Sequence, residues 1–188
     1  MVNKLLLIGP PGSGKGTQGV RLAAELGIEH VAIGDLLRSE IKSGSELGET
    51  IKAKVEAGEL VSDDLILGII EPRVEEAADR GYILDGFPRS VEQAVKGRAL
   101  AEPVGARPEI VVYLDVPDDV VVERLLARAE IEGRADDNEE TIRHRLSLFH
   151  ETTKPLLAFY EEQGKARTID ATGTVDEVTQ AILALVRG

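Results

Sequence analysis

The stretch Lys4–Thr17, KLLLIGPPGSGKGT, constrains the fold more than any other part of the sequence. Leu5–Ile8 is a short, uninterrupted apolar run, which is typical of a strand buried on both faces in a parallel sheet. The next eight residues, Gly9–Gly16, include four glycines and two prolines, so strand pairing cannot continue through them. A helical pattern begins at Thr17 and stops at Gly27.

A glycine-rich loop between a strand and a helix can turn successive backbone N–H groups toward an anion, and the positive helix end adds to their field. Lys15 adds a mobile charge that can reach the outer phosphates of a nucleotide, and Thr17 adds a hydroxyl for Mg2+ or a phosphate oxygen. The stretch therefore predicts a phosphate-binding P-loop, in a variant with Gly16 between the lysine and the hydroxyl residue. A simple tight turn would need neither four glycines nor the lysine.

Length and charge narrow the class of protein. A chain of 188 residues suggests one domain with room for inserts. The net charge of -12 argues against binders of nucleic acid or membrane surfaces, because both need a basic face. Cysteine is absent, which excludes disulfides and thiolate metal sites. No apolar run approaches the length of a membrane span and no leader-like segment opens the chain, so we expect a soluble, cytoplasmic protein.

Apolar runs alternate with helical patterns, which predicts a single α/β domain over residues 1–188 with a parallel β-sheet flanked by helices. Binding residues are then expected at the carboxyl ends of the strands. After Leu5–Ile8, the predicted strands are residues 28–33, 82–84, 110–114 and 167–169.

Two stretches fit this core poorly. Residues 34–61 predict two short helices in an insert outside the sheet, broken at Gly44 and Gly48 and ended at Gly58. Residues 129–137 are polar and acidic, which predicts a surface loop. Asp137 or Asn138 would then cap the helix that follows.

An aspartate and several arginines are the remaining candidates for chemistry. Asp85 ends a predicted strand beside the P-loop, where an acidic residue usually holds Mg2+, often through water; a turn-forming aspartate is the alternative. Guanidinium groups stabilise the charge that phosphoryl transfer spreads, although any single arginine is more simply a surface residue. The arginines in question are Arg38, Arg89, Arg124, Arg128, Arg134 and Arg145.

Six segments make the chain resemble the adenylate kinase family of nucleoside monophosphate kinases from end to end. They are GPPGSGKGTQ, GDLLRSEIKSGSELG, ELVSDDL, ILDGFPRSVEQ, GRADDNEETIRHRL and TKPLLAFYEEQGKARTIDATGTVDEV. The resemblance implies a P-loop NTPase fold of the nucleoside monophosphate kinase type, with an acceptor clamp at residues 32–61 and a short lid at 128–137. It also implies Mg2+-dependent phosphoryl transfer from ATP to AMP by a monomer. Some long-lid relatives hold zinc with cysteines, which this chain lacks.

The resemblance also assigns residues by position. On the ATP side it implies Gly12, Ser13, Gly14, Lys15, Gly16, Thr17, Arg124, Arg128 and backbone near Gly173. On the AMP side it implies Ile33, Arg38, Glu59, Leu60, Val61, Gly86, Phe87, Pro88, Arg89, Gln93, Arg134 and Arg145. Those expected to act on the transferred group are Lys15, Arg89, Arg124, Arg134 and Arg145. Thr17, Asp35 and Asp85 would organise Mg2+, largely through water.

One position departs from the family pattern. Ile33 stands where the family usually has a threonine that touches the acceptor base, and isoleucine cannot make that hydrogen bond. The related UMP/CMP kinases commonly carry alanine there, and asparagine in place of Gln93. Gln93 therefore favours adenine, while Ile33 favours neither base. Two alternatives stay open: a UMP/CMP kinase of the same fold, and a P-loop nucleotide switch without kinase activity.

Overall fold

The computed structural model describes residues 2–133 and 138–188, and within them five parallel strands form one sheet. The strands follow the order β2-β3-β1-β4-β5, and helices cover both faces. Their bounds are β1 Lys4–Ile8, β2 Glu29–Ala32, β3 Tyr82–Asp85, β4 Ile110–Asp115 and β5 Ala166–Asp170. The α/β class predicted from the sequence is confirmed.

The uninterrupted apolar run in β1 has a direct structural reason. Leu6 and Ile8 point into a core on one face of the sheet, whereas Leu5 and Leu7 point into a second core on the other face. All four are buried. Because β1 lies at the centre of the sheet and both faces are covered, it has no solvent side on which polar residues could alternate.

The helices connect the strands and flank the sheet. Their bounds are α1 Lys15–Leu26, α2 Ile33–Ser43, α3 Glu46–Ala57, α4 Asp63–Ala77, α5 Val91–Ala101, α6 Asp118–Glu132, α7 Glu139–Leu148, α8 Lys154–Glu161 and α9 Val175–Arg187. A π-helical segment, Phe149–Thr153, joins α7 to α8.

Several predicted bounds shift by one to four residues. The largest shift is in the predicted surface loop 129–137, whose first four residues belong to α6, which ends at Glu132. The first helix begins at Lys15 rather than Thr17, because the left-handed Gly14 already serves as its N-cap. The second strand ends at Ala32, since Ile33 starts α2. Of the two residues predicted to cap α7, Asn138 is its N-cap. The other, Asp137, lies outside the described residues.

The predicted helix break at Gly48 is wrong. Gly44 does end α2 in a left-handed conformation, but Gly48 lies inside α3 and is buried. A Cβ atom added there would come within 2.5 Å of the Glu40 carbonyl oxygen in α2. The glycine therefore allows α2 and α3 to pack closely, which a sequence pattern cannot distinguish from a break.

Candidate functional site

The carboxyl ends of the strands open onto a cleft of about 700 Å³. The loop from Gly9 to Gly14 leaves β1 and leads directly into α1 at its floor. Gly12 and Gly14 have φ angles of 78° and 94°, a left-handed region that side chains rarely adopt. Ser13 is buried, whereas Gly16 and Thr17 are exposed to the cleft. The predicted strand–loop–helix arrangement is thus present, with the N-terminus of α1 pointing at the cleft.

The side chain of Lys15 folds back across the loop and is held there by backbone carbonyl groups of the loop. Its Nζ donates hydrogen bonds to the carbonyl oxygens of Gly9 and Pro10, each at 2.9 Å. The pKa of Lys15 is lowered to about 8, chiefly by burial; Asp85 opposes this lowering, and Arg89, Arg145 and Arg128 contribute to it. The ammonium group is therefore destabilised in the free protein, and a bound anion would relieve that cost.

Asp85 is one of the acidic residues that line the cleft. It ends β3 opposite Leu7 of β1, which places its carboxylate beside the P-loop. The residue is 9% exposed, and His30 Nε2 lies 3.6 Å from its Oδ2. That nitrogen is buried and has no hydrogen-bond partner within residues 2–133 and 138–188. The His30 ring itself occupies the space that a side chain at Gly19 would fill.

Five of the predicted arginines line the cleft. They are Arg38, Arg89, Arg124, Arg128 and Arg145. Burial lowers the pKa of Arg89, and the nearby Arg145 and Arg38 lower it further while Asp85 opposes them. Cations this close and this shielded from solvent repel one another, so the cleft favours a ligand with several negative charges. Arg134 lies outside the described residues.

Arg124 and Gly173 belong to the part of the cleft that the family resemblance assigns to ATP, called the donor side below. Both line the cleft, and Arg124 donates a 3.0 Å hydrogen bond to the carbonyl oxygen of the buried Ala171. This bond ties α6 to the turn that follows β5, where Gly173 exposes its backbone. Arg124 therefore fixes the position of the loop predicted to meet the donor adenine.

A smaller pocket continues from the cleft between α2, α3 and the segment after β3. It gathers nearly all the residues predicted to contact the acceptor: Ile33, Arg38, Glu59, Leu60, Val61, Gly86, Arg89, Gln93 and Arg145. Pro88 lines the main cleft instead, and the side chain of Phe87 is buried in the core against Gly97. Ile33 is only 1% exposed, so its side chain forms a dry apolar wall of the pocket.

The candidate metal residues are few and partly exposed. Thr17 and Asp85 face the cleft, and Asp35 pairs with Arg38 at 2.6 Å on its exposed side. Within the described ranges, no group of three or more His, Asp or Glu side chains is arranged to enclose a metal ion.

Sequence reasoning missed the residues that orient this site. Thr153, in the π-helical segment, donates a 2.7 Å hydrogen bond to the Arg89 carbonyl oxygen. His144 lies 3.0 Å from Glu59 and links α7 to the acceptor side. Asp63, at the start of α4, accepts hydrogen bonds from Gln93 and Lys96. No local pattern marks these residues, since each acts on a partner distant in the chain.

Comparison with known proteins agrees with this geometry. The family described as Adenylate kinase matches residues 7–165. An adenylate kinase of Stenotrophomonas maltophilia is 46% identical over 186 residues, which cover 98% of this chain and 100% of the relative. Adenylate kinase 1 of a Synechocystis strain is 50% identical over 188 residues, covering 100% of this chain and 98% of the relative. An adenylate kinase of a Synechococcus strain is 48% identical and covers 98% of each chain.

Proposed function

The chain belongs to the adenylate kinase family, and we propose how its residues carry out the reversible transfer of a phosphoryl group from ATP to AMP, which gives two ADP. The observation that carries the proposal is the convergence of Lys15, Arg89 and Arg145 between a phosphate-binding loop and a separate acceptor pocket. Two polyanions must meet there, and their mutual repulsion has to be cancelled before one can attack the other.

The donor phosphates bind at the P-loop, where the backbone of residues 12–17 and Lys15 neutralise them. Lys15 moves with the transferring group. A charged phosphate oxygen binds its ammonium group more strongly than the carbonyl oxygens of Gly9 and Pro10 do. Arg124 and Arg128 hold the donor from the α6 side, and the backbone near Gly173 contacts its adenine.

The acceptor phosphate binds among Arg38, Arg89 and Arg145, with Arg134 joining from the short lid. Guanidinium groups are suited to this role because they bind phosphate oxygens in pairs and stay charged. The attacking oxygen is already anionic at neutral pH, so a strong general base is not needed. Alignment and charge stabilisation account for catalysis. The base occupies the pocket of Ile33, Val61 and Gln93, and Glu59, Leu60, Gly86, Phe87 and Pro88 contribute through main chain or shape.

Thr17 and Asp85 would hold Mg2+, with Asp35 acting on its water shell. When bound, the ion adds positive charge at the donor phosphates. Asp85 keeps a second duty, since its carboxylate partly offsets the repulsion among Lys15 and the arginines. Residues 32–61 and 128–137 are proposed to close over the two nucleotides and exclude water, which would otherwise accept the phosphoryl group.

A UMP/CMP kinase is not favoured, because the relatives from Stenotrophomonas, Synechocystis and Synechococcus are named adenylate kinases at 46–50% identity. The nucleotide-switch alternative is not favoured for the same reason. No helix in the described part of the chain is long and apolar enough to cross a membrane. A monomeric state and a cytoplasmic location stay predictions.

The test is a coupled assay with Mg-ATP and AMP, CMP, UMP or GMP in turn. We expect strong ADP production with AMP. A faster rate with CMP or UMP would move the acceptor assignment to pyrimidines, and turnover that does not depend on the monophosphate would support a switch.

Arg89→Met should lower kcat/KM for AMP by about a hundredfold or more. Arg98→Met is the matched control, because Arg98 is half exposed on α5 and pairs with Glu102 away from the cleft.

A further inference from the structure

The amide of Gln93 is held by two partners that face its two ends. Its Oε1 accepts a 2.8 Å hydrogen bond from the backbone N–H of Arg89, and its Nε2 donates a 2.9 Å hydrogen bond to Asp63 Oδ1. The residue is only 3% exposed and lines the acceptor pocket. Its side chain is therefore fixed before any nucleotide arrives.

Each partner can play only one chemical role. A backbone N–H only donates, and an ionised carboxylate only accepts. If the amide were turned by 180°, its NH2 group would face the Arg89 N–H and its oxygen would face the Asp63 carboxylate. Both contacts would then be repulsive, so the two partners together allow a single orientation.

That orientation determines what remains for a ligand. A side-chain amide has two acceptor lone pairs and two donor hydrogens, and one of each is already used. One lone pair of Oε1 and one N–H of Nε2 remain on the same planar group. They match a base edge that carries an amino donor next to a ring-nitrogen acceptor, as in adenine and cytosine. Hypoxanthine, guanine and uracil carry the reverse pattern, a carbonyl next to a ring N–H.

We propose that Asp63 is a specificity-determining positioning residue, which fixes the Gln93 amide in the orientation that selects a 6-amino purine over its 6-oxo counterpart. The inference rests on the proposed function, since it assigns the acceptor base to this pocket. Asp63 acts through Gln93 and does not touch the nucleotide. Apolar walls such as Ile33 and Val61 set the size of the base, whereas this pair sets its hydrogen-bonding pattern.

Asp63 is itself secured as a carboxylate. Lys96 Nζ lies 2.9 Å from its Oδ2, so its two oxygens serve different partners. Hydrogen bonds from Lys96 and Gln93 lower the pKa of Asp63, and it lies in the first turn of α4, where the helix dipole also favours an anion. This matters because a protonated carboxyl group could donate as well as accept and would no longer dictate the orientation.

Asp63→Asn is the discriminating variant. The ammonium of Lys96 only donates, so it draws the asparagine oxygen to the Oδ2 side. The asparagine NH2 group then faces the NH2 group of Gln93, and the amide loses its preferred orientation. Glu92→Gln is the matched control. Glu92 also pairs with Lys96 at 2.9 Å but is exposed on α5, so its neutralisation removes an equal charge from the same cluster.

The experiment measures kcat/KM for AMP and for inosine monophosphate, which has the same size and shape but a 6-oxo base, with Mg-ATP as donor. We expect wild type and Glu92→Gln to prefer AMP equally, and Asp63→Asn to lower the AMP-to-inosine ratio about tenfold through KM for AMP. The KM for ATP should not change. Because the ratio is taken within one preparation, the amount of folded protein cancels.

Two outcomes would overturn the inference. The first is an AMP-to-inosine ratio in Asp63→Asn within twofold of the wild-type ratio. The second is an equal fall of that ratio in Glu92→Gln, which would assign the effect to the net charge around Lys96. A simple structural role for Asp63 would lower both rates together and leave the ratio unchanged. Failure of the proposed function is visible separately, because wild type would then show no turnover that depends on AMP.

Discussion

The donor and acceptor sides of the cleft are built in different ways. The donor side centres on consecutive residues, 9–17, in a single loop whose shape is dictated by glycines and by the start of α1. The acceptor side is assembled from α2, the turn at residues 58–61, the segment 86–93 and α7. A contiguous site depends mainly on its own sequence, whereas an assembled site depends on the packing of helices that never touch the ligand. Substitutions should therefore affect the two sides differently.

The largest effect is expected on the donor side from Lys15→Met, which keeps the length of the side chain and removes its charge. We expect kcat to fall about a thousandfold, since the proposed mechanism assigns the Lys15 charge to stabilising the transferring phosphoryl group. Thermal stability should stay equal or rise, because the ammonium is destabilised by burial and by three nearby arginines. A kcat within tenfold of wild type, measured by the coupled assay, would contradict the role given to Lys15.

The same lysine predicts a pH dependence confined to the donor side. Its pKa in the free protein is lowered to about 8, and bound phosphates should raise it again. ATP binding then takes up a proton above pH 8, and the ATP affinity should fall about tenfold from pH 7 to pH 9. Calorimetry at both pH values, in two buffers of different ionisation enthalpy, measures the affinity and the proton uptake.

Lys15→Met is the control for this pH effect. Its ATP affinity should be weak at both pH values and should not show the tenfold fall from pH 7 to pH 9 that is expected of the wild type. An equal loss in the variant would assign the titration to another group.

The two sides also differ in how far the sequence predicts them. The P-loop could be recognised because its glycines and lysine occupy fixed spacings in one segment. The parallel class followed from the apolar runs, although the order β2-β3-β1-β4-β5 has no local signature. Gly48 was misread because a glycine at a close helix contact and a glycine at a helix break look alike in sequence. Asp63 escaped notice because its partner, Gln93, lies thirty positions along the chain.

Gly48→Ala should weaken the acceptor side alone. The added Cβ would meet the Glu40 carbonyl at 2.5 Å, so α2 and α3 must separate. We expect a loss of about 1–3 kcal/mol in the free energy of unfolding and a KM for AMP raised about fivefold, with the KM for ATP unchanged.

Gly68→Ala is the matched control in α4, because its Cβ would meet nothing within 4 Å. That variant should be as stable as wild type or slightly more so. Equal effects on both substrates in Gly48→Ala would argue against separate sides.

The smallest expected effect tests the departure at Ile33, where the acceptor pocket presents an apolar wall. Threonine and valine have nearly the same shape, so Ile33→Thr and Ile33→Val remove the same volume and differ only by a hydroxyl. Ile33→Val should lower the free energy of unfolding by about 1 kcal/mol through the lost methylene group. Ile33→Thr should lower it by about 1–3 kcal/mol more, because its hydroxyl is buried in an apolar wall. Only the threonine can hydrogen-bond the base, so its KM for AMP should be about threefold below that of the valine variant. If the two variants share one KM, the hydroxyl does not reach the base, and selectivity for adenine in this chain rests on the Gln93 amide and the shape of the pocket.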